Sequence, residues 1–283
     1  MEEFCTALQE GTERTLRPML PSSAIQNEYQ EVLRRAIREM ANDVETNVKS
    51  IYSGDALRIE SSAEGATIVG DESPAVRLAR QLNTDCRKWE KYFKELSTKT
   101  PLWFTRKISD YLGGGIKGAF REMGLKVRIR KSGRVAESDI LAAIVAENVA
   151  LIKTIPQEYL GRVSAVVNES VKHGRDMGSL TTHLERAYSI TDRRARTITR
   201  DQTNKATQAL NLVKIQAAGI EEGIWVHRSG AKVPRQSHVE ANGKKFRLDT
   251  GLLVDGEYIW PGLKINCHCT FRPVIPDFGD DDG

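Results

Sequence analysis

Apolar residues recur at three- and four-residue intervals through most of the first 220 positions, and that period predicts a chain built mainly of helices. The stripe is clearest over residues 22–52. There Ile25, Tyr29, Val32, Leu33, Ala36, Ile37, Met40, Val44, Val48 and Ile51 share one face, opposite Arg34, Arg35, Arg38 and Glu39. Pro21-Ser22-Ser23 marks its start. A polar, glycine-bearing stretch at 53–74 predicts a loop. A second helix is expected over 74–96 on Val76, Ala79, Leu82, Cys86, Trp89 and Phe93, and a third over 103–111. Gly113, Gly114 and Gly115 then predict a break between helices, because the Gly-Lys-Ser/Thr of a phosphate-cradling loop is missing.

Ser138 and Asp139 suit a helix cap ahead of Ile140, Leu141, Ile144, Val145, Val149 and Ile152. Pro156 predicts an interruption and a fresh start, with Leu160, Val163, Val166, Val167 and Val171 as the next stripe. A turn at Gly174 and Gly178 precedes a short helix on Leu180, Leu184 and Tyr188. Thr191-Asp192 is expected to cap a long helix over 192–218, closed by Gly219 at its C′ position. Beyond it the period shortens. Strands are expected around Trp225 and over 244–248, 257–260 and 269–275, with Asn242-Gly243 as a tight turn between the first two. The fold class is therefore α+β: a mostly helical N-terminal region followed by a small β-containing C-terminal lobe.

Bulk properties change this picture little. At 283 residues, 40% hydrophobic and 28% charged, the chain has room for two modest domains. No apolar run approaches the roughly 18 residues of a membrane span, and the acidic start MEEFCTALQEGTERT is no secretory signal. Four cysteines with one close pair make no disulfide framework, so a cytosolic site of synthesis is expected. A net charge of +4 by itself says nothing about nucleic acid.

Candidate chemistry gathers at the C-terminal end, around His238, Cys267 and Cys269. These three, with His227 or His268 as a fourth, are soft or borderline metal ligands suited to zinc. Against that, a Cys-x-Cys in an extended segment places both sulfurs on one face but splays them, and His268 between them faces away. A thiol nucleophile would need His238 in reach with Asn266 as orienter, and the nearby acids Glu240, Asp249, Asp255 and Glu257 form no nuclease motif. The expectation is that these residues are packing and turn determinants, with His238 and Cys267 approaching one another inside the lobe, no catalytic residue and no resident cofactor. A Cys267–Cys269 disulfide is disfavoured by geometry and compartment.

The order of these motifs resembles the C-terminal signature of the phage Mu F-like minor head proteins. It runs through Trp225, then Pro234, Arg235 and His238, then Asn242-Gly243, then Trp260, Pro261 and Gly262, then Asn266, Cys267 and Cys269. The likeness extends back through the arginine-rich helix to about residue 139. It divides the chain into a motif-free region, 1–138, and a Mu F-like region, 139–283. The latter comprises helices to 219, a lobe at 220–276 and an acidic tail at 277–283. The resemblance implies a non-enzymatic minor component of a tailed-phage or prophage head. It would act in head assembly and genome packaging or delivery at the portal, and reside in the virion after assembly in the host cytoplasm. Its implied partners are portal protein, major capsid or scaffold protein, and packaged DNA, with no membrane. Two alternatives stay open: a metal- or thiol-dependent hydrolase or nuclease using His238, Cys267 and Cys269, and an effector trafficking module. A toxin of the latter sort carries a further catalytic domain, whereas only the seven-residue tail follows Pro276 here.

Two basic features are candidates for DNA or partner contact. Lys126, Arg128, Arg130, Lys131 and Arg134 fall within nine positions, a nucleic-acid contact or a solvated edge. Arg193, Arg196 and Arg200 recur at three-four spacing on one helix face, a stripe for phosphates or for acidic side chains, with Asp192 and Asp201 diluting its charge.

Overall fold

The computed structural model describes residues 14–56, 74–126, 137–172, 177–229 and 233–276. Four long helices come first: α1 (Ser23–Ala56), α2 (Pro74–Glu122), α3 (Glu137–Lys172) and α4 (Met177–Ala217). Then follow β1 (Glu222–Val226), the short α5 (Gln236–Glu240), β2 (Lys245–Arg247), β3 (Leu252–Val254), β4 (Glu257–Ile259) and β5 (Thr270–Pro273). The α+β class and its order, helices first and a small antiparallel lobe last, are as the periodicity predicts. No helix among the described residues is long and apolar enough to cross a membrane.

Four expected breaks are absent. Residues 74–96 and 103–111 belong to one helix that runs through Pro101 and on past Gly113, Gly114 and Gly115. Pro156 lies inside α3, and Thr191 and Asp192 lie inside α4 rather than at its start. A helical proline costs about 3 kcal/mol and a glycine about 1 kcal/mol relative to alanine. Burying one large apolar side chain returns about 1.5–3 kcal/mol. Phe104, Ile108, Leu112, Ile116 and Phe120 are all buried along the disputed part of α2, so tertiary packing outweighs the local signals. Thr191 turns its hydroxyl back to Ala187 O (2.9 Å), which satisfies it inside the helix. The end of α4 is as expected: Gly219, at φ 86°, donates to Gln216 O and Ile220 donates to Ile215 O. This Schellman arrangement satisfies the last carbonyls, with Ile215 and Ile220 both buried beside it.

The chain forms two compact units, each assembled from separated pieces. The boundary at 138/139 separates motif-free from motif-bearing sequence; compactness divides the chain differently. One unit comprises residues 23–105 and 143–202. Its core includes Tyr29, Leu33, Ile37, Met40, Val44 and Val48 of α1, all fully buried at three-four spacing, with Phe93, Phe104, Ile152, Tyr159 and Val163. Tyr29 lies against Phe104 with ring centroids 4.5 Å apart, and its hydroxyl donates to Asn148 Oδ1 (2.8 Å). Asn148 in turn donates to Gln202 Oε1 (2.8 Å), and Gln202 to Glu147 (2.8 Å). Tyr29, Asn148 and Gln202 thus satisfy one another in the interior.

The other unit comprises the described residues within 1–22, 106–142 and 203–283. Its three-stranded sheet has the order β2-β1-β5, and a separate hairpin pairs β3 with β4. All pairings are antiparallel, with Gly223 opposite both Phe246 and Pro273. The expected strands at Trp225, 244–248, 257–260 and 269–275 all form; β3 is additional. Its hairpin turns on Asp255-Gly256, both at positive φ, the pattern of a type I′ turn. Asn242-Gly243 instead closes the turn after α5, so the link between β1 and β2 is a helical excursion and not a two-residue loop. Residues without any motif also enter the sheet: Thr15 bridges Val274, Leu16 N–H donates to Pro273 O, and Ile275 N–H to Arg14 O.

Candidate functional site

Helix α4 supplies the platform under the lobe, and does so with polar atoms. Along one face Asn204 and Gln208, four residues apart and both buried, reach the backbone of distant segments. The Asn204 amide donates to Gly262 O (3.1 Å) and to Cys267 O. Gln208 Nε2 donates to Met19 O (3.2 Å), and the buried Thr270 hydroxyl donates to Gln208 Oε1 (3.0 Å) and Met19 O (3.1 Å). Gly262 fits under this clamp only because it lacks a side chain. A Cβ there would meet Cys269 O at 2.8 Å and would also strike Gln208 Cγ, and φ is +82° besides. Sequence periodicity missed Asn204, Gln208 and Thr270. A run of amides and hydroxyls from Gln202 to Gln208, interrupting an otherwise apolar stripe, is the signal that marks them.

The clamp fixes the loop that carries the cysteines. Residues 264–267 turn back with Asn266 at φ 55°, a left-handed conformation that asparagine tolerates, and Cys267 N–H donates to Lys264 O (3.0 Å). Strand β5 begins only at Thr270, so Cys267 and Cys269 do not lie in an extended strand and their sulfurs do not splay. Both point inward. Cys267 Sγ is 3.3 Å from His238 Nδ1, and Cys269 Sγ is 3.9 Å from that nitrogen and 3.6 Å from His227 Nδ1. The expected approach of His238 to Cys267 is therefore observed.

Each partner is positioned by its own segment. His227 follows β1, where its backbone N–H donates to Asn242 Oδ1 (2.8 Å). Gly243 N–H donates to Trp225 O (2.8 Å), locking the Asn-Gly turn against the same strand end. His238 sits on α5, preceded by Arg235, whose guanidinium reaches across to Ile265 O (3.1 Å) in the cysteine loop. The imidazole stands edge-on to Trp225, with centroids 5.4 Å apart at 85°. Trp225 is fully buried and also packs on Phe246, which contacts Phe271. Pro261 is buried, and Trp260 Nε1 donates to Leu248 O (2.8 Å). Pro234 is exposed at the mouth of a cavity of about 220 Å³ that His227, His268 and both cysteines also line.

Electrostatically the two thiols are unequal. The hydrogen bond from Cys269 holds the Cys267 thiol well below its ordinary range; burial opposes this, while backbone N–H groups of Cys269 and Gly262 assist it. Donating that hydrogen bond, together with burial, raises Cys269. Among the described residues, His238, Cys267 and Cys269 are the one group of three or more His, Cys, Asp or Glu side chains clustered as metal ligands are, with ligand atoms within 4.8 Å of one another. The acids weighed earlier are occupied elsewhere. Asp255 accepts from Ser237 (2.7 Å), Asp249 pairs with Arg247 (3.0 Å), Glu257 with Lys264 (2.5 Å), and Glu240 accepts from Gln236 (3.2 Å). Both cysteines are free thiols.

The arginine stripe is partly committed. Asp192 is buried and binds Arg34 (2.5 Å) as well as Arg196 (2.6 Å). Burial works against its ionisation, but the hydrogen bonds and charges of these two guanidinium groups win and keep its pKa below the usual carboxylate range. Arg193 and Arg200 stay exposed, while Arg194 turns to Glu158 (3.0 Å) and Thr154 (2.9 Å). Of the other basic run, Lys126 is exposed just past α2; Arg128, Arg130, Lys131 and Arg134 lie outside the described residues.

Comparison with known proteins agrees with this anatomy. An uncharacterized protein of Haemophilus influenzae is 30% identical over 151 residues, which is 53% of this chain and 32% of that protein. The chain thus spans about a third of the length of the curated relative it matches. No solved structure matches it. The family model described as Phage Mu protein F like protein covers residues 161–272, from the middle of α3 to within β5. Most of α4, with Asn204, Gln208, Gly262 and the His/Cys cluster, lies inside that span, and over residues 161–272 the C-terminal half of the chain is similar to the Phage Mu protein F like family.

Proposed function

We propose that the protein is a minor structural component of a tailed-phage or prophage head, working in head morphogenesis near the portal. The observation that carries this reading is the Mu F-like domain itself, together with what its signature residues do. Trp225 fills the core, Gly262 admits the clamp, Asn242-Gly243 and Asn266 set turns, and Arg235 staples one loop to another. Such residues build a shape rather than a reaction centre. A hydrolase or nuclease reading has less support, since His238, Cys267 and Cys269 are each at most 5% exposed and the neighbouring acids are paired at the surface.

Contacts with portal, capsid or scaffold protein extend this proposal. Leu253 and Tyr258 are cross-strand neighbours on the β3–β4 hairpin, more than half exposed, and suit a protein partner. Exposed Arg193 and Arg200 suit either acidic protein or packaged DNA. With Arg196 tied to Asp192, at most about two phosphate contacts are available from the stripe, so protein docking is the favoured use. Mass spectrometry of purified full and empty heads tests the function. The chain should be present in both, at low copy relative to major capsid protein. Its absence from heads that assemble normally would refute the proposal.

A further inference from the structure

We infer that His227, His238, Cys267 and Cys269 form a structural zinc site that ties the lobe together. Zinc–sulfur bonds of about 2.3 Å and zinc–nitrogen bonds of about 2.0–2.1 Å, at tetrahedral angles, set a sulfur-to-nitrogen edge of about 3.6 Å. The three such edges here are 3.3, 3.6 and 3.9 Å, centred on that value. Nitrogen and sulfur atoms of His238, Cys267 and Cys269 already surround a single point, being mutually within 4.8 Å. His227 lies beside Cys269 and is only half-buried, so a small side-chain adjustment brings it to the fourth position.

The surroundings leave a donor unspent. Trp225 Nε1 is fully buried, edge-on to His238, with no hydrogen-bond partner among the described residues. Asn242 Oδ1 accepts the His227 backbone N–H and so fixes the segment that carries one ligand, as outer partners of a metal site do. A dication entering the site displaces two thiol protons to solvent, and the two thiolates then cancel its charge, which makes burial acceptable. Two sulfurs and two imidazoles in tetrahedral array select zinc over the oxygen-seeking cations. All four positions are filled by protein, leaving none for water or substrate, so the metal's role is structural. It joins the end of β1, helix α5 and the loop before β5, adding to the hydrogen bonds that already run between them.

The full chain, purified without chelator, should contain about one equivalent of zinc by elemental analysis. After the zinc is stripped, reconstitution with cobalt(II) should give the intense visible bands of tetrahedral cobalt and a thiolate charge-transfer band. Cys267→Ser and Cys269→Ser should each weaken or abolish the charge-transfer band. His227→Ala should keep the fold and lower zinc affinity at least about tenfold, since even outer-layer changes cost that much. Should a serine variant not fold, the cobalt spectrum of the wild-type chain decides alone. A folded wild-type chain that takes up neither metal, or gives only the pale octahedral spectrum, overturns the site. An unchanged zinc affinity in His227→Ala overturns the fourth ligand.

Discussion

The two compact units keep their interiors in order by different means. In the one built on α1, whole side chains do the work: Leu33, Ile37, Met40, Val44 and Val48 are buried in series, and the polar groups among them form a relay. In the other, strands of three to five residues cannot bury much, and individual atoms decide the structure. Asn204 and Gln208 hold backbone oxygens, Gly262 supplies an absence, and two sulfurs meet the imidazole of His238 with that of His227 beside Cys269. An interior of the first kind yields gradually to substitution, whereas one of the second kind fails at named positions.

The sharpest way to break this contrast is Gly262→Ala. A left-handed non-glycine residue costs about 1–2 kcal/mol, and forced overpacking adds about 1–3 kcal/mol. Because the obstructing Cys269 O is backbone, urea denaturation should register a loss near the top of that combined range, about 4 kcal/mol. In the α1 unit, Asn148→Ala should cost about 2–3 kcal/mol by stranding the buried Tyr29 hydroxyl and Gln202. Combining it with Tyr29→Phe should cost less than the two changes summed, since the partner is removed together with the bond.

Acid sensitivity is expected at Asp192. Its folded pKa is depressed, so the stability it contributes is present above the ordinary aspartate value of about 3.9 and is lost as pH falls through the folded value. Asp192→Asn should lower stability at neutral pH by about 2 kcal/mol and flatten the decline below about pH 4. Thermal melts of both proteins across that range check the sign. A smaller effect of opposite direction is expected at Asn211, which is fully buried with neither amide atom hydrogen-bonded among the described residues. Asn211→Leu should raise stability by about 1 kcal/mol.

How much of this the sequence discloses follows from the range of each interaction. Helix faces were legible because they depend on residues three and four apart, and the end of α4 because Gly219 is local. Continuity through Pro101, Pro156 and Thr191-Asp192 was not, since it depends on what those helices bury. The approach of His238 to Cys267 was anticipated from the ordered motif, yet the direction of the sulfurs was mistaken. Treating 267–269 as strand splays them; the turn at Asn266 and the Asn204 clamp, 63 residues from Cys267, turn them inward. The seating of residues 14–19 against β5 and Gln208 was invisible for the same reason, being a pairing across 189 positions or more.

The central claim is that the lobe owes its order to the cluster at Cys267, whereas the α1 unit owes its order to apolar burial. Hydrogen exchange of the full chain, with and without a zinc chelator, tests it most directly. Amides of β1, β2 and β5 should lose protection on chelation, while those of α1 from Tyr29 to Val48 keep theirs. Equal protection of the strands in both conditions, or loss spread evenly over α1 and the strands, would contradict the account.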